Sequence, residues 1–134
     1  MPAEHTARLR ARFAETDAMQ VIYYGAYFVW FEVGRTELFR AMGIPYSVIN
    51  RKRGFHTPVV QAHADYKASA RYEDEIAVRT WVSKVGTSSF RIDYEVTKLP
   101  GKELLCTGHT VHVLIGADGK PRELPPEIKK RLLA

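Results

Sequence analysis

The sequence predicts an α+β fold in which an antiparallel β-sheet wraps around one long central α-helix. Three observations support this prediction: an alternating segment opens the chain, a long segment with apolar residues at helical spacing follows, and four more alternating segments come after it. Strands that are grouped after a single helix are typical of α+β folds with an antiparallel sheet. No repeat, linker or shift in composition interrupts the 134 residues, so we expect a single domain spanning 1–134.

The first strand and the long helix are predicted from their periodicity. Alternation predicts a half-buried strand over Thr6–Phe13, with Phe13 on the apolar face and arginines on the other. Helical spacing predicts a helix over Gly25–Met42 with a broad apolar stripe. Gly34 lies within that stripe although glycine costs a helix about 1 kcal/mol, which indicates a close approach to the sheet.

The rest of the chain supplies the remaining strands and a short basic helix. We expect a short helix or loop over Ile44–Gly54, and a C-terminal helix that opens at Pro125-Pro126 and whose basic end complements its own dipole. Alternation predicts four strands over His56–Lys67, Ile76–Lys84, Ser88–Lys98 and Leu104–Ile115.

Composition narrows the classes of function. The net charge of +5 and the pI of about 9.4 suit an anionic ligand, but the charge is spread along the chain and forms no nucleic-acid-binding module. Cys106 is the only cysteine, so an internal disulfide is impossible and a cytoplasmic location is expected. No run is long and apolar enough for a membrane span, and the N-terminal residues carry no apolar signal core.

Asp17 lies between the first strand and the long helix, and it is the leading catalytic candidate. We expect it at the end of the strand, a short loop away from the start of the helix. A carboxylate can act as a nucleophile or as a base for water, and free amides at a helix start can hold an oxyanion. A lone Asp before a helix is more often a cap or turn residue, although Asp17 lies several residues before the apolar stripe.

Several segments resemble those of one enzyme family. They are Phe13–Tyr27, Phe31–Glu37, Thr57–Val60 and Asp65–Asp74. In them the chain resembles hot-dog-fold acyl-CoA thioesterases of the 4-hydroxybenzoyl-CoA thioesterase type, and it is similar to the related Tol-Pal-associated acyl-CoA thioesterases. The resemblance implies a hot-dog fold, hydrolysis of an acyl-CoA thioester without a metal or redox cofactor, a cytosolic location, and homodimers, often paired into homotetramers, with active sites between subunits.

The same resemblance implies the site residues. Asp17 would be the catalytic carboxylate, and the backbone N–H of Tyr24 would polarise the thioester carbonyl. Many relatives carry histidine at the position of Tyr24 and asparagine at that of Ala26; tyrosine titrates near 10 and cannot replace histidine as a base, so only the amide would act here. Residues expected to contact the acyl-CoA substrate are Tyr23, Tyr27, Thr57, Pro58, Val59, Val60, His63 and Lys67. For the Tyr23 and Tyr27 side chains, packing in the core or at an interface is an equal alternative.

Binding of the coenzyme phosphates has no obvious partner in this sequence. Some relatives have a basic run where this chain reads Gly86-Thr87-Ser88. Other cationic side chains would therefore have to bind these phosphates. The alternative is that the same side chains are ordinary solvated surface charges. The candidates are Arg51, Lys52, Arg53, Lys67, Arg71 and Lys84.

Two other features that suggest chemistry have simpler explanations. His109 and His112 are three residues apart on a predicted strand, so they point to opposite faces and we expect no metal site there. Cys106 lies in the middle of the same strand with no activating base nearby in sequence, and we expect a buried, inert thiol.

Two other functions stay open at this stage. An enoyl-CoA hydratase on the same fold would usually pair an aspartate with a histidine, and no histidine lies near Asp17 in sequence. A non-catalytic module that binds acyl-CoA or an acyl-carrier protein is the second alternative. It is suggested by the departures at Tyr24 and Ala26, while the intact Asp17 argues against it.

Overall fold

The computed structural model describes residues 3–134, and one sheet and one long helix account for most of them. A short π-helical turn at Val48–Lys52 occupies the segment for which a short helix or loop is predicted. The strands are β1 (Glu4–Arg10), β2 (Val59–Tyr66), β3 (Glu75–Val85), β4 (Ser89–Lys98) and β5 (Glu103–Val113), and the helices are α1 (Ala26–Ala41) and α2 (Pro126–Leu133).

The sheet is antiparallel throughout. Its five strands follow the spatial order β1-β3-β4-β5-β2, so the two strands that flank α1 in sequence form the two opposite edges. Helix α1 crosses one face of this sheet and contacts β1, β3 and β4. The predicted sheet around a central helix is therefore confirmed.

The apolar stripe of α1 lies against the sheet at very short range. Phe31 is fully buried and stacks on Tyr94 of β4, with ring centroids 4.2 Å apart and planes within 8°. A Cβ atom at Gly34 would lie only 2.7 Å from side-chain carbons of both Val78 and Thr80. Glycine is needed here because the helix and β3 approach too closely for any side chain, as the sequence predicts.

The first strand is shorter than predicted. It ends at Arg10, and Phe13–Glu15 forms a 3-10 turn. The Arg12 N–H donates to the Glu15 carboxylate at 2.8 Å, which starts the turn and ends the alternation. The prediction that Phe13 faces the core is therefore wrong, because its ring is 74% exposed. The prediction that the strand leads directly to Asp17 is wrong for the same reason.

Strand β2 is an edge strand that is accessible on both faces. It pairs with β5 alone, and every residue in it except Ala64 is exposed. Its exposed side chains include the apolar Val59, Val60 and Tyr66. One edge and much of both faces of β2 therefore remain free within a single chain.

A chain of polar groups crosses the core beneath α1 and reaches the segment that precedes β2. His112 is 1% exposed, and burial lowers its pKa to about 4. Its Nδ1–H donates to the Thr57 carbonyl at 3.0 Å, so Nε2 of the neutral ring accepts from the Thr110 hydroxyl at 2.8 Å. Thr110 Oγ1 in turn accepts from the Tyr94 hydroxyl at 2.6 Å. His109 lies on the opposite face of β5, as predicted.

The C-terminal helix α2 begins where the paired prolines predict it. Lys130 and Arg131 lie in its last turn, as predicted, and Arg131 also donates to the Met42 carbonyl at 2.6 Å. Met42 is the C-cap of α1, so this side chain complements the end of the long helix. Neither helix within residues 3–134 has the length and apolar character that crossing a membrane requires.

Candidate active site

Asp17 lies in a small hairpin formed by residues 15–23. The Asp17 N–H donates to the Val21 carbonyl at 2.9 Å, and the Tyr23 N–H donates to the Glu15 carbonyl at 2.8 Å. The Gln20 N–H closes the turn on the Asp17 carbonyl at 2.9 Å, with Gln20 at a φ of 64°. These bonds fold the loop back on itself, with Asp17 opposite Val21 and Glu15 opposite Tyr23.

The hairpin is anchored to the rest of the protein on two sides. The Ile22 N–H donates to the carbonyl of buried Ala70 at 2.9 Å, which ties the hairpin to the segment before β3. On the other side, the indole N–H of buried Trp30 donates to Glu15 Oε2 at 2.9 Å. The loop is therefore held by the scaffold at both ends.

The carboxylate of Asp17 keeps one oxygen free. The residue is half-buried, and its Oδ1 accepts the Met19 N–H at 2.8 Å. Within residues 3–134 its Oδ2 has no hydrogen-bond partner. Asp17 does not cap the long helix, since the N-cap of α1 is Gly25. One oxygen thus fixes the carboxylate in its turn and the other is available for chemistry.

Two backbone amides at the start of α1 are also free. Neither the Tyr24 nor the Gly25 N–H donates a hydrogen bond to any group within the described chain. The carbonyls just before the helix are already engaged, as Tyr23 accepts the Ala26 N–H at 2.9 Å. Unpaired amides at the positive end of a helix dipole are suited to binding a developing oxyanion.

A cavity of about 440 Å³ lies beside Asp17. The rings of Phe13 and Tyr72 meet edge to face in its wall, with centroids 5.7 Å apart. Both rings are mostly exposed, at 74% and 53%, so they present apolar surface to whatever enters. Arg71 contributes a positive charge to the same wall. The lining residues are Phe13, Thr16, Asp17, Gln20, Arg71 and Tyr72.

The sequence did not identify Phe13 and Tyr72 as a pair. The alternation of the first strand predicts Phe13 on its apolar face. Tyr72 lies in Asp65–Asp74, one of the segments that resemble the thioesterase family, but nothing in the sequence indicates that it contacts Phe13. The pairing depends on the Ala11 N–H, which donates to the Asp74 carbonyl at 2.9 Å and joins the two segments.

A group of tyrosines surrounds the start of α1. The rings of Tyr23 and Tyr24 are exposed and 4.4 Å apart. Tyr27, also predicted to bind substrate, is only 2% exposed and packs against Trp30 at 4.9 Å, and burial raises its pKa to about 12. Tyr66 at the end of β2 donates its hydroxyl proton to the Tyr24 carbonyl at 2.8 Å.

Thr57, Pro58, Val59 and Val60 lie far from Asp17 in a single chain. Thr57 and Pro58 precede the eight-residue strand β2 and Val59 and Val60 begin it, whereas Tyr66, which contacts Tyr24, is its last residue. At about 3.3 Å per residue the two ends of β2 are roughly 20 Å apart. Within one chain the start of β2 therefore lies far from Tyr24, and the Thr57–Val60 segment does not reach the start of α1.

His63 lies on the face of the sheet that points away from α1. Its ring stacks on that of His109 with centroids 5.3 Å apart, and its Nε2 is 3.0 Å from Asp65 Oδ2. Lys67 directly follows β2 and is exposed. Neither side chain lines the cavity beside Asp17 within one chain.

Cys106 takes no part in this site. The residue is fully buried, and burial, followed by the nearby Asp65 charge, raises the pKa of its thiol to about 12. A thiol with such a pKa is not a nucleophile at neutral pH. The predicted burial of Cys106 is confirmed, and its inertness stays a prediction.

Comparisons with known proteins agree with the fold and with the resemblance. A family model described as the thioesterase-like superfamily matches residues 11–132. The chain is 33% identical over 107 residues to the putative acyl-CoA thioesterase YneP of Bacillus subtilis, covering 80% of this chain and 76% of that protein.

Solved structures show the same architecture. The DHNA-CoA thioesterase from Staphylococcus aureus is 36% identical, with a TM-score of 0.85, over 90% of this chain and 80% of that one. A hypothetical protein from Thermus thermophilus is 29% identical, with a TM-score of 0.88, over 96% of this chain and 95% of that one. The predicted hot-dog fold is confirmed, and the chain belongs to the thioesterase-like superfamily.

Proposed function

We propose that this protein hydrolyses acyl-CoA thioesters, with Asp17 as the catalytic carboxylate and the Tyr24 amide as the donor to the thioester oxygen. The proposal rests on the hairpin, which leaves one Asp17 oxygen without a hydrogen-bond partner. The unpaired Tyr24 N–H follows a few residues later in the chain. The names of the relatives, among them a putative acyl-CoA thioesterase and a DHNA-CoA thioesterase, support the same reaction.

The reaction can proceed in two ways with these groups. Asp17 can attack the thioester carbon, expel CoA as the thiolate and form a mixed anhydride that water then hydrolyses. Alternatively, it can take a proton from a water molecule that attacks the same carbon. In both cases the Tyr24 N–H stabilises the negative charge on the oxygen. A carboxylate and backbone amides suffice, so the proposal includes no metal or redox cofactor.

We propose an aromatic acyl group as the preferred substrate. The edge-to-face rings of Phe13 and Tyr72 offer an aromatic wall beside Asp17, and aromatic pairs gain about 0.5–1.5 kcal/mol beyond their buried area. Two relatives at 26% and 28% identity are named 1,4-dihydroxy-2-naphthoyl-CoA hydrolases, which fits this preference.

We also propose that the working site is completed by a second copy of the chain. The free edge of β2 can pair with the same edge of another copy, as an isologous interface requires. Antiparallel pairing of the two edges would place the start of β2 in one copy near its end in the other. The Thr57–Val60 segment would then lie against the Tyr24 end of the partner's site. Pairing of such dimers into a homotetramer is a further prediction from the resemblance.

Thiol release from a panel of aryl- and alkyl-CoA thioesters tests the proposal. We expect turnover by the wild type, highest for aryl groups, and a loss of about a thousandfold or more in kcat for Asp17→Asn without a change in melting temperature. Asp118→Asn is the matched control, because this exposed carboxylate contacts Arg122 and lies outside the cavity. Equal turnover in wild type and Asp17→Asn would refute the assignment of Asp17.

The same panel separates the two alternative functions. Tight acyl-CoA binding without thiol release would indicate a binding module. Hydration of an enoyl-CoA would indicate a hydratase, for which the structure offers no support, because no histidine lines the described cavity beside Asp17. Sedimentation analysis of the same samples measures the oligomeric state, and a stable monomer with full activity would refute the shared site.

A further inference from the structure

The hydroxyl of Tyr66 makes the only side-chain hydrogen bond to the backbone at the start of α1 within residues 3–134. Tyr66 is the last residue of β2, and its O–H donates to the Tyr24 carbonyl at 2.8 Å. Its ring meets Tyr27 at 5.3 Å and Tyr24 at 6.4 Å, both edge to face. The bond therefore links the edge strand to the residue whose amide the proposed reaction uses.

The Tyr24 carbonyl belongs to the same peptide group as the Gly25 N–H. A hydrogen bond accepted at the carbonyl polarises the peptide group and makes its N–H a stronger donor. The Tyr24 N–H benefits in the same way, because its peptide partner, the Tyr23 carbonyl, accepts the Ala26 N–H at 2.9 Å. Two consecutive peptide groups therefore have an occupied carbonyl and a free N–H.

We infer that the Gly25 N–H is a second donor to the substrate oxygen and that Tyr66 is a positioning residue that orients and polarises this amide. The inference rests on the proposed thioester hydrolysis. It proposes a second hydrogen-bond donor to the substrate oxygen besides the Tyr24 N–H. It also assigns a role to Tyr66, a side chain that does not touch the reacting atoms. Oxyanion sites commonly use two donors, because a tetrahedral oxyanion can accept more than one hydrogen bond.

Tyr66 is suited to this task because its hydroxyl stays protonated. Burial, the nearby Cys106 and Tyr24 together raise its pKa above the ordinary value for tyrosine. The hydroxyl is thus a permanent donor at neutral pH, and its one protein acceptor is the Tyr24 carbonyl. The ring is 45% exposed, so removing the hydroxyl leaves the core unchanged.

Tyr66→Phe is the direct test, since it removes the hydroxyl and keeps both ring contacts. Tyr46→Phe is the matched control, because the Tyr46 hydroxyl has no hydrogen-bond partner within residues 3–134. Gly25 itself is a poor test position, as a Cβ there would lie 2.9 Å from the Tyr23 ring. We expect Tyr66→Phe to lower kcat about tenfold while KM changes less than twofold, the pattern of an interaction made in the transition state.

A second measurement does not depend on activity. The amide ¹⁵N and ¹H resonances of Gly25 should move upfield in Tyr66→Phe, because the Tyr24 carbonyl loses the shorter of its two hydrogen bonds and keeps only that from the Tyr27 N–H at 3.4 Å. Tyr46→Phe should leave them in place. Unfolding temperatures no more than about 2 °C below that of wild type for both variants exclude a general loss of structure.

The outcomes separate this inference from the function on which it rests. Tyr66→Phe with wild-type kcat, or with a raised KM alone, would overturn the inference even while Asp17→Asn abolishes turnover. An equal loss of kcat in Tyr46→Phe would overturn it as well, because the effect would not depend on this bond. A wild type that releases no thiol from any thioester would overturn the proposed function, and the inference with it.

Discussion

Acid is expected to destabilise this protein through one buried side chain, His112. The ring is 1% exposed, and its two nitrogens have opposite roles, with Nδ1–H donating to Thr57 and Nε2 accepting from Thr110. Protonation places a second N–H on the ring, where it meets the Thr110 hydroxyl that was donating to it. It also places a charge in the core, and both effects cost free energy.

The size of the effect follows from the pKa of His112. Burial lowers it to about 4, against 6.5 for an unperturbed histidine. At about 1.4 kcal/mol for each pKa unit, this difference corresponds to about 3 kcal/mol of unfolding free energy. Because the unfolded chain binds the proton first, the stability is complete above pH 6.5 and is lost progressively as the pH falls to about 4, below which no more is lost.

Urea unfolding of wild type and His112→Gln between pH 7.5 and 4.5 measures this contribution. Trp30, which is 1% exposed, reports unfolding by fluorescence. His112→Gln is expected to be less stable than wild type at pH 7.5, and the gap should shrink by about 2–3 kcal/mol by pH 4.5. His109→Gln, on the other face of β5, is the control. A gap that stays constant with pH would refute the assignment of the acid sensitivity to His112.

Two more predictions concern the core. Gly34→Ala should lower the unfolding free energy by about 1–3 kcal/mol, because its Cβ would press on Val78 and Thr80. Urea unfolding measures this loss, with Glu32→Ala on the exposed face of α1 as the control. A Gly34→Ala variant as stable as wild type would contradict the close approach of α1 to β3. Cys106 should not react with a disulfide dye in the native protein and should react fully in denaturant, because the thiol is buried and its pKa is raised to about 12. Rapid native reaction would disprove its burial.

The periodic elements were predictable because burial alone decides them. The apolar stripe of α1 and the alternation of β3, β4 and β5 reflect one face that meets the core, and the structure has these elements within a few residues of their predicted bounds. Gly34 was predictable for a related reason: a glycine inside an apolar stripe has a cost that only close packing offsets.

Phe13 shows where such patterns stop being informative. Its position continues the two-residue period of β1. The Glu15 carboxylate, however, accepts a hydrogen bond from the Arg12 N–H, and the chain begins a turn there instead. That local polar bond is not visible in a hydrophobic pattern. The error matters for function, since Phe13 lines the cavity beside Asp17 and was not expected there.

The assembly of the candidate site was predictable only in part. The sequence shows only that Asp17 precedes the start of α1 by a short loop. The hairpin that holds Asp17 depends on backbone bonds such as that from the Tyr23 N–H to the Glu15 carbonyl, which no side-chain pattern encodes. The contact between Tyr66 and Tyr24 joins elements that are distant in sequence, so only the topology of the sheet reveals it.

The exposed aromatic wall beside Asp17 has an evolutionary consequence. Phe13 and Tyr72 touch the cavity but leave most of their surface outside the core, at 74% and 53% exposure. Substitutions at such surface positions usually change stability by less than about 0.5 kcal/mol, well inside the margin that selection tolerates. The hairpin that holds Asp17 depends on Glu15, Ile22 and Ala70 instead. Under the proposed function, the preference for one acyl group over another can therefore change by substitution of these two rings without unstable intermediates.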